Sequence, residues 1–143
     1  MDKKLLRIVD ANYNRTKEAL RVCEDITRFL LDDVILTKKF KSARHKVTEI
    51  IKKSPVGYEK VVLERQSAKD VGKDLDLKKR KGIEGLLLSN IQRAKESLRV
   101  LEEIYKTLDQ KISGQFKNIR FSVYSLEKSA VKKIKKYDSV RKS

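Results

Sequence analysis

The sequence predicts an all-α protein: a four-helix bundle made of two duplicated helical hairpins, related by an approximate two-fold axis and joined by a long central loop. Three observations carry that expectation. Apolar residues recur at spacings of three and four through most of the chain, which builds one face of a helix. Helix breakers are scarce, with one Pro and five Gly in 143 residues. The stretch "NYNRTKEALRVCE" at 12–24 returns as "NIQRAKESLRVLE" at 90–102. Between 12–30 and 90–108, ten of nineteen positions are identical, and five of the ten are charged: Arg15, Lys17, Glu18, Arg21 and Glu24. Solvent-facing charge normally drifts, so its retention in register asks for a cause.

The first helix has an apolar stripe of Ala19, Val22, Cys23, Ile26, Phe29 and Leu30. Asp10 can N-cap it, with the helix starting at Ala11, although Leu5, Leu6, Ile8 and Val9 also suit an earlier start; "LDD" at 31–33 ends or loosens it. A second helix is expected from Thr37, a good N-cap, to Lys53, with Phe40, Ala43, Val47, Ile50 and Ile51 inward. Ser54-Pro55 and Gly57 stop it. The repeat continues here, because "FKSARHKV" at 40–47 aligns with "FKNIRFSV" at 116–123. Helices three and four follow at roughly 85–108 and 113–137. Hairpin one thus covers about 5–53, the central loop 54–82 and hairpin two about 83–137, in one domain of 143 residues. In the loop, Val61-Val62-Leu63 suits a short extended piece, and a connection of this length suits a lid or binding loop. It holds no phosphate-loop signature of the GxxxxGK[ST] kind.

Composition narrows the class further. At 39% apolar the chain is too hydrophobic for disorder. The lone Cys23 cannot close an internal disulfide, and its repeat partner is Leu101, so it reads as a core residue in a reducing cytosol. One His and one Cys exclude the usual zinc site. His45 aligns with Phe121, which suggests a half-buried packing position. No apolar run approaches the roughly 20 residues that span a bilayer, and the first residues lack a signal peptide's apolar stretch. A soluble cytoplasmic protein with no membrane partner is expected. The net charge of +16 predicts affinity for anions. It permits nucleic acid, but there are only nine aromatics and no recognised binding motif, so that class ranks last.

Asn14, Glu18, Arg21 and Asp25 form one seam of the first helix, and Gln92, Glu96, Arg99 and Glu103 form its counterpart on the third. Arg15, Glu24, Arg93 and Glu102 flank the seams. The bland explanation is a set of intrahelical ion pairs worth about 0.2–0.5 kcal/mol each. It does not explain why both halves keep the same set, since exposed pairs exchange at little cost. The functional explanation has the seams facing one another, with arginines clamping phosphate and carboxylates positioning a hydroxyl or holding Mg²⁺. Phosphoryl transfer suits such a site, because its catalysis is mostly positioning and charge stabilisation. Arg21 and Arg99 are then expected in a shared polar cleft.

The stretches "RIVDANYNRTKEALRVCEDITRFLLDD", "ARH", "ERQSAKDVGKDL", "NIQRAKESLRVLEE" and "FKNIRFSVYSLEK" resemble one small helical family over about 6–128. The family is an alternative hydroxymethylpyrimidine phosphate kinase, unrelated to the ribokinase-like enzyme, found alone or fused ahead of thiamine phosphate synthase. Its pattern matches here at Asp10, Asn12, Asn14, Arg15, Glu18, Arg21, Glu24 and Asp25, and at Arg44, His45, Arg65, Asp70, Val71 and Gly72. In the second half it matches at Asn90, Arg93, Glu96, Arg99, Glu102, Arg120 and Tyr124. One departure stands out: the family's RDT is Arg65-Gln66-Ser67 in this chain. Taken with the ladder, the resemblance implies Asp70, Glu18 and Glu96 as catalytic residues. It implies substrate or phosphate contacts from Asn12, Arg15, Arg21, Arg44, Arg65, Gly72, Asn90, Arg93, Arg99 and Arg120. Asp25 and Glu103 would be metal ligands, with ATP and Mg²⁺ as cofactors. The leading reading is therefore a phosphotransferase acting on a small phosphorylated pyrimidine. The alternative is a non-catalytic binding module of thiamine metabolism. Thiamine phosphate synthase or a second copy of the chain would be the protein partner. The segment 65–72 is expected to close over the cleft and bring Arg65 and Asp70 to the phosphates. Asp70 would hold a metal or order the loop, and Gly72 would supply a positive φ or a close backbone approach.

Overall fold

The computed structural model describes residues 2–54, 57–73 and 79–142. Pro55 and the 74–78 part of the expected loop lie outside the described residues. Among the described residues, every regular element is helical. α1 (Lys3–Asp25) continues through a π-helical turn (Ile26–Leu30), and α2 (Val34–Lys53) returns beside it. A short α3 (Tyr58–Leu63) and a 3-10 turn (Ser67–Lys69) follow, and α4 (Gly82–Tyr105) and α5 (Gln110–Lys142) make the second hairpin. α1 packs on α2 and α4, and α5 packs on the same two, so the order around the bundle is α1, α2, α5, α4. One cluster of buried apolar side chains runs from Leu6 to Ile134 through all five helices.

Several boundaries differ from the expected ones, each for a local reason. α1 is capped by Asp2, whose carboxylate accepts from the Lys4 N–H at 2.8 Å. Asp10 is therefore no cap; it lies inside the helix on the stripe of Leu6, Val9 and Tyr13, and is buried. α2 starts at Val34 because Asp33, not Thr37, accepts from the Leu36 N–H at 2.9 Å. Asp32 takes a positive φ of 49°, which turns the chain between α1 and α2. Val61-Val62-Leu63 is helical rather than extended, and the buried Val61 anchors that turn. Asp109 caps α5 three residues before the expected start, leaving Ser113 free to donate to the Glu102 carbonyl at 2.8 Å.

α1 and α4 run antiparallel. Thr16 Oγ1 and Ser97 Oγ share a buried hydrogen bond of 2.6 Å, and Cys23 Sγ lies 3.9 Å from the Leu87 carbonyl. In the repeat, Thr16 corresponds to Ala94 and Ala19 to Ser97, so each hydroxyl is matched by a methyl in the other half. Small side chains at all four positions let the helices approach closely.

The two hairpins also repeat their interhelix bonds. Buried Glu24 is held by Arg44 at 3.2 Å and Arg21 at 3.7 Å. Buried Glu102 is held by Arg120 at 3.0 Å and Arg99 at 3.3 Å. Removing one partner of a buried pair strands a charge, at a cost of about 3–5 kcal/mol.

Candidate functional site: a groove between α1 and α4

Two adjoining cavities of about 750 and 890 Å³ open along the α1/α4 pair and meet at Asn12, Arg15 and Val100. No α2 or α5 residue lines either, so the groove faces away from those helices. The α4 half is lined by Ser89, Gln92, Arg93 and Glu96, with Arg80 beside them. The α1 half is lined by Arg7, Asn14 and Glu18, and is bordered by Arg65, Ser67 and Asp70 from the central segment. The Thr16–Ser97 contact fixes the register of the two helices. At 1.5 Å per residue, Arg15, Glu96, Glu18 and Arg93 follow one another within about 8 Å of groove. Two carboxylates thus lie between two arginines.

The expected arginines fall into two sets. Arg21, Arg44, Arg99 and Arg120 are consumed by carboxylates of their own hairpin and do not line the groove. Arg21 and Arg99 are half exposed, each also reaching a second acid, Asp25 at 3.4 Å and Glu103 at 2.9 Å. They occupy separate clusters rather than one shared cleft. For Arg120, burial opposes the charge, but the hydrogen bonds to Glu102 and Tyr124 outweigh it and raise the pKa. Arg15 and Arg93 are different. Arg15 makes one long bond of 3.4 Å to Asn12 Oδ1. The side chains of Arg93 and Glu18 make no hydrogen bond or ion pair among the described residues. Glu96 accepts from Gln92 Nε2 at 3.0 Å.

The central segment is docked, not splayed. Arg65 donates twice to Asp10, at 2.8 Å each, and Asn14 adds a third bond to that carboxylate at 3.0 Å. The Asp10 hydrogen bond and charge raise the Arg65 pKa, so the guanidinium stays cationic. Tyr58 packs against Tyr13 with the rings tilted at 59° and their centroids 5.5 Å apart. Asp70 orders the loop through backbone, accepting from the Gly72 N–H at 2.8 Å. Gly72 serves by that N–H; positive φ among the glycines occurs at Gly57 and Gly82.

Of the remaining expected residues, Asn12 lines both cavities and Asn90 neither. Each donates back to a carbonyl one turn earlier, Asn12 to Ile8 at 2.9 Å and Asn90 to Leu86 at 2.8 Å. Asp25 and Glu103 sit about 22 Å apart by helix rise, so they share no ion. Among the described residues no group of three His, Cys, Asp or Glu side chains forms a metal cage. His45 is exposed on α2 rather than half buried, and Phe121, the aligned residue from which packing was expected, is exposed as well. Cys23 is buried, and burial pushes its thiol up to about 12, which suits a core residue and not a nucleophile. The sequence reading missed the Asp10–Arg65 bond and the groove-lining Lys4, Arg7 and Arg80. Lys4, Arg7, Ala11, Asn14 and Glu18 do follow one another at helical spacing, a signal that was present.

Fold and groove together define the class: a small all-α bundle in which α1 and α4 frame a cationic cleft, bordered by a docked central segment. The chain belongs to the ThiD2 family, whose profile matches residues 7–129. It is 37% identical over 124 residues to a thiamine-phosphate synthase of Nostoc sp., covering 85% of this chain and 34% of that protein. It is 34% identical over 126 residues to one of Synechocystis sp. (86% of this chain, 35% of that protein). A third, of Rhodopirellula baltica, is 31% identical over 124 residues (85% and 32%). The chain therefore spans about a third of the length of these curated relatives. No solved structure matches it.

Proposed function

We propose that the protein acts in thiamine biosynthesis, transferring the γ-phosphoryl group of ATP to hydroxymethylpyrimidine phosphate to give the diphosphate. Family membership and the named relatives support the pathway. The observation that carries the reaction is the pair Arg15 and Arg93, uncommitted to any carboxylate, flanking Glu18 and Glu96 in one groove. Unpaired guanidinium groups are costly to hold together and well shaped for phosphate oxygens.

The acceptor is itself a phosphate monoester with a second pKa near 6, so its attacking oxygen is ionised at neutral pH. The site must align two anions and offset their repulsion; it need not remove a proton. That gives Glu18 and Glu96 a different task from general base. Mg²⁺ prefers oxygen ligands and takes one or two carboxylates plus substrate phosphates, so the lack of an all-protein cage does not count against it. Glu18, unpaired and level with Glu96, would hold it, and the ion would neutralise charge on the transferring group. Asp70 acts through the loop it orders. No helix among the described residues is long and apolar enough to cross a membrane, and we assign the reaction to the cytoplasm. A thiamine-phosphate synthase is the partner that would take the product.

The test is phosphorus NMR of the purified full chain with ATP, Mg²⁺ and hydroxymethylpyrimidine phosphate. Paired diphosphate resonances should grow in step with ADP, and Arg15→Ala should abolish them. Binding of the phosphorylated pyrimidine without any diphosphate would leave only the non-catalytic binding module.

A further inference from the structure

We infer that the face of the bundle opposite the groove, made by α2 and α5, binds a single strand of nucleic acid. The inference is independent of the kinase reading, because no residue of α2 or α5 lines the groove.

The positive charge is concentrated on two helices. α2 carries seven Lys and Arg against one acid, and α5 carries ten against two. Together they hold +14 of the +16, and the rest of the chain shares +2. α2 and α5 pack side by side, so this charge lies on one side of the molecule. Like charges gathered in this way repel one another and attract a polyanion.

A path follows α2. Two adjoining hollows of about 370 and 270 Å³ meet at Lys46 and Glu49. Lys38, Lys41, Lys46 and Lys53 line them, and none of the four makes a hydrogen bond or ion pair among the described residues. Glu49 is the one acid among the lining residues. At 1.5 Å per residue the lysines mark out about 22 Å, room for several successive phosphates. Beyond Lys38 the next hollow brings in Asp32 and Asp33, so the basic path has an end.

Charge alone does not tell a nucleic acid from another polyanion; what stands beside the lysines does. Across from α2 the second hollow presents Gln115, Asn118 and Ser122, neutral groups that both donate and accept, as base edges and sugars require. Phe121 is one helical turn from Asn118 and adjoins Ser122, and it is 51% exposed. Its ring centroid lies 5.8 Å from that of Tyr124, which is also exposed. Lys117 and Arg120 lie over the Phe121 ring at 5.9 and 5.0 Å, and Lys95 lies over Tyr124 at 5.0 Å. The chain has only nine aromatics, and the fold sets two of them beside this path. Exposed rings next to a basic groove are what single-strand sites are built from. A duplex hides its base faces and would use neither ring. A bilayer needs apolar groups along the path, and the exposed Val34 and Ile35 lie beyond its Lys38 end.

Fluorescence anisotropy on the full chain tests this, with labelled oligouridylate and oligothymidylate of about 12 nucleotides, inside the range of single-strand sites. Saturable binding is expected, and the tighter of the two strands names the sugar that the face prefers. The logarithm of the binding constant should fall against that of salt with a slope of about −3, as four phosphate contacts require. The double variant Lys46→Ala, Lys53→Ala should weaken binding and flatten that slope by about half. Phe121→Ala should weaken it about fivefold or more, the loss of one stacked base, and leave the affinity for polyglutamate unchanged. All three side chains are exposed, so melting curves should stay close to wild type. Absence of saturable binding would overturn the inference, and so would a Phe121→Ala protein that bound the strand as wild type does. Polyglutamate or phosphatidylserine vesicles that displaced the strand at equal charge concentration would reduce the face to its charge and overturn it too. Loss of the strand in Arg93→Ala would seat it in the groove instead.

Discussion

Glu24 and Glu102 are buried, and the arginines at 44 and 120 neutralise them from the neighbouring helix. Arg44→Ala leaves buried Glu24 with only the longer contact to half-exposed Arg21 at 3.7 Å, so it should cost up to about 3 kcal/mol and lower Tm by up to about 10 °C. Arg15→Ala removes only one long bond to Asn12 and should move Tm by no more than about 2 °C, as surface changes do. Equal melting of the two variants would contradict the division into structural and site arginines. Cys23 gives a second check. Its thiol, raised by burial to about 12 from the ordinary 9.0, is protonated in the folded state. Stability that depends on a neutral Cys23 is therefore intact below pH 9.0 and lost as pH rises towards about 12. A thiol reagent at neutral pH should label the protein only after urea unfolds it; rapid native labelling would place Cys23 at the surface. The sequence displayed the arginine and carboxylate set but not its division. Arg15 and Arg21 are the same residue type on the same helix; Arg21 meets Glu24 and Asp25 of that helix, whereas Arg15 has Glu18 at the same i,i+3 spacing and bonds Asn12 instead, a difference that spacing alone does not display. Asp10 was misread because an N-cap and an ion pair to a docked loop ask for the same side chain.

The central segment is the element that gives the groove a border on one side. Three contacts fasten it: Val61 in the core, Tyr58 on Tyr13, and the bidentate Arg65–Asp10 bond. Arg65→Ala removes the last and leaves Asp10 with Asn14 alone. Amide exchange across 64–73 should then accelerate while α1 and α4 keep their protection, and trypsin should cut first after Lys69 or Lys73. Unchanged exchange would mean that the tyrosine pair and Val61 hold the segment by themselves. Helix spacing made α1, α2, α4 and α5 legible, since each buries a stripe at three-and-four periodicity. The segment was not, because six residues of α3 are too few to display a period. Val61-Val62-Leu63 carries strand propensity, and tertiary burial of Val61 overrides it.

At the scale of the whole molecule, the +16 charge competes with the groove as an explanation of any anion binding. α5 runs 33 residues and ends in a lysine-rich stretch that reaches past the groove's own helices, and anions can collect there by charge alone. Arrangement is what sets the groove apart: one arginine with no carboxylate partner and one carboxylate stand on each of two antiparallel helices, joined at a hydroxyl pair. The measurement that separates the two explanations is an NMR titration of the nitrogen-labelled full chain with a non-hydrolysable ATP analogue at physiological salt. Amide shifts should be largest at 12–18, 65–72 and 89–97, and should saturate at one analogue per chain. Shifts that are largest across 128–142, without saturation, would mean that the anion follows net charge and that the groove is not its site.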